Sequence, residues 1–359
     1  MNYLTYIAPV ILLGVLVFVH ELGHFIFAKL VGIKVLKFSI GFGPKIVSKT
    51  YGETEYILAS VPLGGYVKMY GEDLEDNVSD ADKDRSFPNK PIYKRVLVVA
   101  AGSVFNILFA AVVFAVMFMI GIPRLTATVG SIKENSPALK AGLTAGDKIT
   151  AIDGKEINSW DEMTEVIQQS AGINLTVSIK RADTQKDIQI TPEKNKSKNI
   201  FGEDIEVGLI GISPRGDTIN ISSGFFESIY RGMAETWDMI KLTFVVIGKM
   251  IEKVVPADTI GGPILIFQIA KKQADLGILN YIYTMAVISV NLGVFNLFPI
   301  PVLDGGHLVF LTFEKIRRKP LNDKIIGIAQ RVGLSALLLL MAFAFYNDIY
   351  RLIKGIPLP

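Results

Sequence analysis

The sequence contains no cysteine and only 3 histidines among its 359 residues. The lack of cysteine excludes disulfides and thiolate metal ligands, so any zinc site must be built from His, Asp or Glu. No basic tract interleaved with aromatic residues occurs and the net charge is only +3, so nucleic acid is not an expected partner. Hydrophobic residues, in contrast, make up 50% of the chain and give a mean hydropathy of +0.41. This composition is typical of a membrane protein.

Four apolar runs come close to or exceed the roughly 20 residues that a helix needs to cross about 30 Å of hydrocarbon. The runs lie at 4–31, 96–122, 281–313 and 332–353, and the third is interrupted at 296–301. The first run could instead be a secretory signal peptide. That alternative fits poorly, because residues 1–3 carry no Lys or Arg and no small-x-small cleavage site follows. We therefore predict four transmembrane helices.

Lys and Arg in the connections predict the orientation. The 34–95 connection carries ten of these residues and the 314–331 connection carries six. Connections rich in Lys and Arg stay in the cytoplasm. Both chain termini and the long 124–280 segment are therefore expected outside the cytoplasm.

The 124–280 segment begins as a soluble α+β region. Alternating polar and apolar residues predict strands, and Asp153-Gly154 predicts a tight hairpin turn. The predicted strands are 127–129, 148–152, 175–179 and 187–190. A short amphipathic helix is predicted at 160–169 and an exposed loop at 191–204. The amphipathic 224–254 stretch predicts a helix lying on the membrane surface.

The first apolar run contains the motif His20-Glu21-Leu22-Gly23-His24. On an α-helix, residues four apart share one face, so His20 and His24 can grip one metal ion. Glu21 can reach a water bound to that ion and act as general base, as this motif does in metalloproteases. Chance is the alternative interpretation. However, two His and a Glu in a hydrocarbon-facing helix cost several kcal/mol unless they pair or bind something.

A catalytic zinc usually takes three protein ligands and one water, so a third ligand is needed. Asp304 is the candidate, because a lone aspartate beside a proline-broken apolar run is costly and metal ligation explains it. An Asp-Gly turn is the bland alternative. His307 is a rival ligand, although a histidine at the cytoplasmic end of a span can simply be solvated. We favour Asp304.

Taken together, these residues resemble the site-2 protease family of intramembrane zinc metalloproteases, and within it the bacterial sigma-E-regulating branch. The resemblance rests on His20-Glu21-x-x-His24 and on Asn296-x-x-Pro299-x-Pro301-x-Leu303-Asp304-Gly305, and covers most of the chain. Four more stretches have counterparts there: Gly41-Phe42-Gly43-Pro44, Pro62-Leu63-Gly64-Gly65-Tyr66-Val67-Lys68-Met69, Ala101-Gly102-x-x-x-Asn106 and Gly261-Gly262-Pro263-Ile264. The resemblance implies that Asp304 is the third ligand of one Zn²⁺ per chain and that Asn296 holds the substrate backbone.

The soluble part of the insertion resembles a PDZ domain in its permuted bacterial form. The stretches that carry this resemblance are Ser136-Pro137-Ala138, Ala141-Gly142-Leu143, Ala145-Gly146-Asp147 and Ile152-Asp153-Gly154. Well-known members of the branch carry two such domains in tandem, whereas only one fits here. The domain is expected to bind a peptide ligand or, alternatively, only to pack on the membrane face.

Four glycines and two prolines complete the predicted substrate-binding set. Substrate could add as a strand to an exposed edge, for which the stretch from 37–40 to 55–59 offers β-type sequence. Ordinary turn chemistry explains Gly41, Gly43, Gly64 and Gly65 equally well. Pro299 and Pro301 remove backbone donors and break the helix, which would let Asp304 approach the metal. Asn296 could equally be a helix cap beside that break.

We therefore expect a polytopic α-helical membrane protein with about four transmembrane helices, an inserted extracytoplasmic PDZ-like α+β domain and a membrane-associated β-rich loop. The expected segments are transmembrane helix 1 at 1–33, the cytoplasmic-side β-loop at 34–95, transmembrane helix 2 at 96–123, the PDZ-like domain at 124–214, amphipathic membrane-surface helices at 215–280, transmembrane helix 3 at 281–313, a cytoplasmic loop at 314–331 and transmembrane helix 4 at 332–359.

The expected function is zinc endopeptidase activity on membrane-spanning proteins, such as anti-sigma factors or remnant signal peptides, in the bacterial plasma (inner) membrane. The active site would face the cytoplasmic side, and the lipid bilayer is a partner throughout. Two alternatives stay open: a metal transporter or sensor, because intramembrane His and Asp also mark ion paths, and a PDZ scaffold without catalysis.

Overall fold

The computed structural model describes residues 4–72 and 79–356, apart from the side chains of Pro62, Leu63 and Asp323. The parts of the predicted segments that fall at 1–3, 73–78 and 357–359 lie outside the described residues. The chain forms two compact units. We call Met1–Val116, Ile229–Val245 and Pro256–Pro359 the membrane unit, and Met117–Ser228 with Val246–Val255 the inserted unit.

Helices dominate the chain. They are α1 (Leu4–Leu30), α2 (Ile92–Ile120), α3 (Pro137–Lys140), α4 (Trp160–Gln169), α5 (Phe225–Ile251), α6 (Pro263–Leu276), α7 (Ile278–Asn296), α8 (Asp304–Arg317) and α9 (Asp323–Lys354). Short 3-10 turns lie at Asp80–Arg85 and Ala257–Thr259.

The strands are mostly short, except for the first two. They are β1 (Val35–Tyr51), β2 (Thr54–Met69), β3 (Ile122–Leu125), β4 (Val129–Ile132), β5 (Lys148–Ile152), β6 (Lys155–Glu156), β7 (Leu175–Arg181), β8 (Thr184–Ile190), β9 (Glu193–Lys198), β10 (Asp204–Leu209), β11 (Ile212–Pro214) and β12 (Thr218–Ile221).

Four helices, α1, α2, α7 and α9, are long and apolar enough to cross a membrane. The predicted fold class is confirmed in this respect. Helix α2 begins at Ile92 and α9 at Asp323, earlier than the hydropathy prediction, because a helix continues past its apolar part into charged residues such as Arg95. The third predicted span consists of two helices, since α7 ends at Asn296 and α8 begins at Asp304.

The membrane unit is held together by apolar packing between α1, α6 and α7. Leu12 and Leu16 of α1 pack with Ala270 of α6 and with Tyr281 and Met285 of α7, and all five are buried. The Tyr281 hydroxyl donates to the carbonyl of Ala8 at 2.6 Å. Small residues and a satisfied hydroxyl are the usual means of joining helices where there is little water.

β1 and β2 are bent strands that fold into one antiparallel sheet. The 35–40 part of β1 pairs with 65–69 of β2 on one side and with 55–58 on the other. Beyond this part, Phe42 pairs with Val61, and the 45–51 part of β1 pairs with the 54–59 part of β2. The 65–69 part is therefore an edge strand of this sheet. Phe38 and Val67 pack the sheet against Ala28 of α1 and Val98 of α2, which places this edge beside the N-terminal part of α2.

A carboxylate on α9 caps the N-terminus of α6. Asp348 is 3% exposed and accepts hydrogen bonds from the backbone N–H groups of Gly262, Ile264 and Leu265 at 2.9–3.1 Å. These groups have no partner within the helix, and a negative charge also suits the positive end of the helix dipole. The cap gives Gly261-Gly262-Pro263-Ile264 a structural role, because a Cβ on Gly262 would lie 2.7 Å from Asp348 Oδ2.

The inserted unit contains a four-stranded antiparallel sheet in the order β6-β5-β7-β8, with α4 packed on the same core. The predicted turn joins β5 to β6, with positive φ at Asp153 (48°) and Gly154 (81°), as a type I′ hairpin requires. The prediction of an exposed loop at 191–204 is wrong, because β9 and β10 form a hairpin there. The side chains of β9 are all exposed, which explains why its sequence is polar.

Candidate metal centre

α1 brings the predicted motif to the inner side of the membrane unit. His24 and Glu21 are buried, at 8% and 9% exposure, although α1 is otherwise apolar. His24 Nδ1 lies 2.8 Å from the carbonyl oxygen of Val98 on α2. A hydrogen on Nδ1 that donates to this carbonyl leaves Nε2 free to bind a metal.

Asp304 lies beside the two histidines, at the start of the helix that follows the break. α7 ends at Asn296, and Pro299 and Pro301 lie in the non-helical stretch that follows. Proline has no N–H and cannot continue a helical hydrogen-bond ladder. α8 then starts at Asp304 itself. The break therefore sets the carboxylate at the beginning of a new helix, beside the two histidines.

The donor atoms of His20, His24 and Asp304 form a nearly equilateral triangle. The two Nε2 atoms are 3.2 Å apart, and Asp304 Oδ2 lies 3.4 Å from His20 Nε2 and 3.5 Å from His24 Nε2. A tetrahedral zinc with ligand distances of about 2.0–2.2 Å separates its ligand atoms by roughly 3.3–3.6 Å. The triangle therefore fits three ligands of one such ion, with the fourth position open for water.

His307 lies on α8, three residues after Asp304, and lines the same cavity. Its ring is not among the donor atoms that converge, since the group within 4.8 Å of one another in the described chain consists of His20, His24 and Asp304. The converging donor atoms thus include Asp304 and not His307.

An open cavity of about 700 Å³ lies in front of the triangle. Glu21, both histidines and Asp304 contribute to its wall, together with Gly65 of the sheet edge. A Cβ on Gly65 would lie 2.8 Å from Glu21 Cγ, so the strand edge touches the candidate base closely. The cavity therefore brings a possible water-activating carboxylate, a candidate metal site and the sheet edge at Gly65 together.

Sequence reasoning missed most of the residues of α2 that surround the triangle. Ser103 Oγ donates to Asp304 Oδ2 at 3.2 Å, and Asn106 Nδ2 lies 3.3 Å from His20 Nδ1. A Cβ on Gly102 would lie only 2.3 Å from His24 Nε2, so this position must lack a side chain for α2 to come so close. The stretch Ala101-Gly102-x-x-x-Asn106 contains two of these residues, but the sequence supports only its family resemblance and gives no physical role for it.

A second polar pair lies at the cavity wall. Arg95 of α2 and Glu314 of α8 form a two-pronged ion pair, with Arg95 Nη1 3.0 Å from Glu314 Oε2 and a further bond from Nη2 to Oε1. Both side chains are largely buried and both line the cavity. The pair ties the start of α2 to α8, which carries Asp304.

The predicted substrate-binding residues fall into separate groups. Asn296 Nδ2 lies 3.5 Å from His20 Nδ1, and Pro299 and Pro301 lie in the helix break. Gly65 lines the cavity, whereas Gly64 does not and packs against the ring of Phe42. Gly41 and Gly43 adopt positive φ values of 93° and 86° where β1 bends. Their left-handed conformation favours the turn interpretation for these two glycines.

Comparison with known proteins gives consistent relatives. Residues 8–340 match Peptidase family M50. A protein of Agrobacterium fabrum named as a zinc metalloprotease is 37% identical, with 98% of each chain covered. The regulator of sigma-E protease RseP of Escherichia coli is 31% identical over 445 aligned positions, covering 96% of this chain and 98% of that protein. The 445 aligned positions exceed the 359 residues of this chain, so the E. coli protein carries insertions that this chain lacks.

Among solved structures, the PDZ domain of an SdrC-like protein from Listeria innocua covers 26% of this chain and 96% of its own, at 29% identity. The TM-score is 0.21, which is too low to support an inference.

Proposed function

This chain belongs to Peptidase family M50 and is a zinc metalloprotease, and we propose that His20, His24 and Asp304 hold its zinc inside the membrane. The observation that carries the proposal is the triangle of donor atoms 3.2–3.5 Å apart, assembled on helices of the membrane unit. A zinc ion there would polarise the scissile carbonyl and lower the pKa of a bound water.

Glu21 is the proposed general base. It follows His20 directly on α1 and faces the cavity beside the metal ligands. Its carboxylate takes the proton of the attacking water and passes it to the leaving amine. The ligands and the base are separate groups in this assignment, so removing the base leaves the metal in place.

The edge strand at 65–69 is the proposed substrate platform. It pairs with β1 on one side only within the described sheet, and Gly65, Tyr66, Val67 and Met69 all line the cavity. A substrate segment that opens its helix exposes backbone N–H and C=O groups, which need partners where water is scarce. Adding to this edge as a further strand satisfies them and lays the peptide beside Glu21. Asn296, whose side-chain amide lies 3.5 Å from His20 Nδ1, is the proposed donor to a substrate carbonyl.

Single-span membrane proteins are the proposed substrates, of the anti-sigma or remnant signal-peptide type. One relative is by name a regulator of sigma-E protease, and a cavity within the membrane unit suits a substrate that is itself in the membrane. The Lys and Arg distribution supports an orientation with the 34–95 and 314–331 connections in the cytoplasm and the inserted unit outside. The inserted unit then binds a peptide on the outer side.

The proposal is tested with the full-length protein in liposomes that also contain a single-span substrate. We expect about one zinc per chain, cleavage that a chelator stops and zinc restores, and full loss of cleavage in Glu21→Gln with its zinc retained. Normal turnover by Glu21→Gln would overturn the assignment of the base.

The same liposomes test the two alternatives. A transporter would accumulate zinc inside vesicles without any substrate protein, and its polar residues would follow one another along a path. The described residues contain a single metal-type cluster, which favours a fixed site. A scaffold would bind the substrate but leave it uncut with zinc present.

A further inference from the structure

α2 contacts the side chain of every proposed zinc ligand. The carbonyl of Val98 lies against His24 Nδ1, the hydroxyl of Ser103 donates to Asp304, and the side-chain amide of Asn106 lies against His20 Nδ1. The first contact leaves His24 Nε2 free to face a metal, and the second uses only one lone pair of Asp304 Oδ2, which keeps another for the metal. The third contact can be made by either the oxygen or the nitrogen of the Asn106 carboxamide, and the two would fix opposite hydrogen positions on His20.

Asn106 is fully buried and its side-chain oxygen has no hydrogen-bond partner among the described residues. Its amide nitrogen, in contrast, lies 3.3 Å from His20 Nδ1. A donating amide would require Nδ1 to accept, so the ring hydrogen would sit on Nε2. That is the atom of His20 in the ligand triangle, and it could not then bind zinc.

A half-turn of the amide removes this conflict. The oxygen and nitrogen of a carboxamide exchange places under that rotation, and their assignment follows from the surrounding hydrogen bonds. The oxygen would then accept from Nδ1–H of His20 and leave Nε2 free for the metal. Either orientation leaves one amide atom unpaired, so counting bonds does not distinguish them. The need for a metal-binding Nε2 does.

Asn296 is a competing side-chain partner, since its amide nitrogen lies 3.5 Å from the same Nδ1. The two amides differ in their surroundings. Asn296 is half-exposed at the end of α7, whereas Asn106 is enclosed between α1 and α7. Ser289 of α7 donates to the backbone carbonyl of Asn106 at 2.8 Å, which fixes α2 at this level. Asn106 is therefore the anchored neighbour of His20.

Resting on the proposed zinc site, we propose that Asn106 is a positioning residue that accepts the Nδ1 hydrogen of His20 through its side-chain oxygen. This hydrogen bond fixes the ring orientation and selects the form of His20 that binds zinc. Partners of this kind are worth 10–100-fold in metal affinity. Asn296 keeps its amide for the substrate.

The test measures zinc affinity, with no need for activity. Full-length protein carrying Glu21→Gln is freed of metal in detergent and titrated with zinc against a chromogenic chelator. Asn106→Leu, which has a similar shape but no acceptor, is expected to bind zinc 10–100-fold more weakly than this parent. Asn106→Asp keeps an acceptor and should stay within threefold of the parent, as should Asn296→Leu.

Three results would overturn the proposal: Asn106→Leu within threefold of the parent, Asn106→Asp as weak as Asn106→Leu, or the loss appearing in Asn296→Leu instead. If Asn106→Leu does not fold, a loss of zinc affinity of tenfold or more in Asn106→Asp or in Asn296→Leu still overturns the proposal. A parent that binds no zinc would refute the proposed function, whereas a zinc-binding parent with an unaffected Asn106→Leu refutes only the role of Asn106.

Selective ¹⁵N-histidine labelling reads the hydrogen bond directly, because the chain has only 3 histidines. In the zinc-bound parent, Nδ1 of His20 should carry a hydrogen that exchanges slowly with water. Asn106→Leu should make that exchange fast while His24, which is held by Val98, keeps its slow signal. A His20 signal with its hydrogen on Nε2 in zinc-bound protein contradicts the proposal.

Discussion

In the inserted unit the buried side chains are mostly aliphatic, whereas the buried side chains of the membrane unit include many polar ones. The core of the inserted unit is formed by residues such as Ile149, Ile152 and Ile179, each at most 1% exposed. In the membrane unit, Ser103, Asn106 and Ser289 are fully buried. Several of its large apolar side chains, such as Leu338, Leu339 and Phe343 of α9, are exposed. In α9 only 6% of the apolar window is buried.

This inversion follows from the surroundings of each unit. A water-soluble core forms by removing apolar surface from water, so a buried polar group is an exception there. Hydrocarbon gives apolar side chains no reason to turn inward, while polar ones must find partners inside the protein. Buried polar side chains are thus more frequent in the membrane unit, where they lie beside apolar packing such as that of Leu12 and Leu16. Three substitutions, taken from the largest expected effect to the smallest, test this difference.

The largest effect is expected from Gly102→Ala. The new methyl group would lie 2.3 Å from His24 Nε2, so either α2 or the ligand must move. We expect zinc affinity to fall at least 100-fold and cleavage with it. Gly14→Ala is the matched control, because a Cβ at this α1 position meets nothing within 4 Å. Normal zinc affinity in Gly102→Ala would show that α2 or His24 can move without loss of the metal site, and would contradict this prediction.

A smaller effect is expected from Asp348→Ala, which removes the cap of α6 without touching the metal site. Three backbone N–H groups lose their acceptor, at a cost of about 2 kcal/mol in the free energy of unfolding, the upper end for removal of an N-cap. Asp348→Asn keeps one acceptor oxygen and should lose less. Thermal unfolding in detergent measures both. Equal midpoints for the parent and Asp348→Ala would mean that the cap adds nothing to stability.

The smallest effect is expected from Asp147→Asn in the inserted unit. Burial alone would raise the pKa of Asp147, but hydrogen bonds from Arg181 and Thr144 outweigh it and hold the pKa below its usual value. The ionised carboxylate therefore stabilises the unit at neutral pH, and this contribution is lost as the pH falls through the folded pKa. We expect the variant to lose about 1–2 kcal/mol at pH 7, and the gap to close in acid.

The chain has 2 tryptophans, and Trp160 packs on the core of the inserted unit. Replacing Trp237 by phenylalanine in every variant leaves Trp160 fluorescence as the measure of unfolding of the inserted unit. Asp183→Asn serves as the control, because Asp183 is exposed. A gap between parent and Asp147→Asn that stays constant from pH 7 down to about pH 3 would contradict the charge-based explanation.

The sequence allowed the parts of the site that depend on local geometry to be predicted. Helical spacing brings His20 and His24 to one face and turns Glu21 toward the same region, so no tertiary information is needed. Asp304 followed from the cost of an isolated carboxylate near hydrocarbon. The four apolar helices were likewise visible in the hydropathy pattern, although not their ends. The boundary errors at α2 and α9 arise because hydropathy marks the lipid-facing part of a helix only.

The remaining features depend on which helices meet, and a single sequence does not state this. The contacts of α2 with the three ligands require knowing that α2 lies against α1 and α8. Asp348 carried the same cost signal as Asp304, an acid within an apolar run, and was overlooked. The β9–β10 hairpin was missed because its exposed polar residues show no alternation.

The close approach of α1 and α2 depends on side chains that both helices lack. A Cβ on Gly23 would lie 2.5 Å from the carbonyl oxygen of Ala101, and a Cβ on Gly102 would enter the space of His24. A relative could therefore keep every ligand and the base and still be inactive after gaining one methyl group. The ligands and the base alone therefore do not distinguish a working enzyme from a pseudoenzyme. Glycine at positions 23 and 102 is a further requirement.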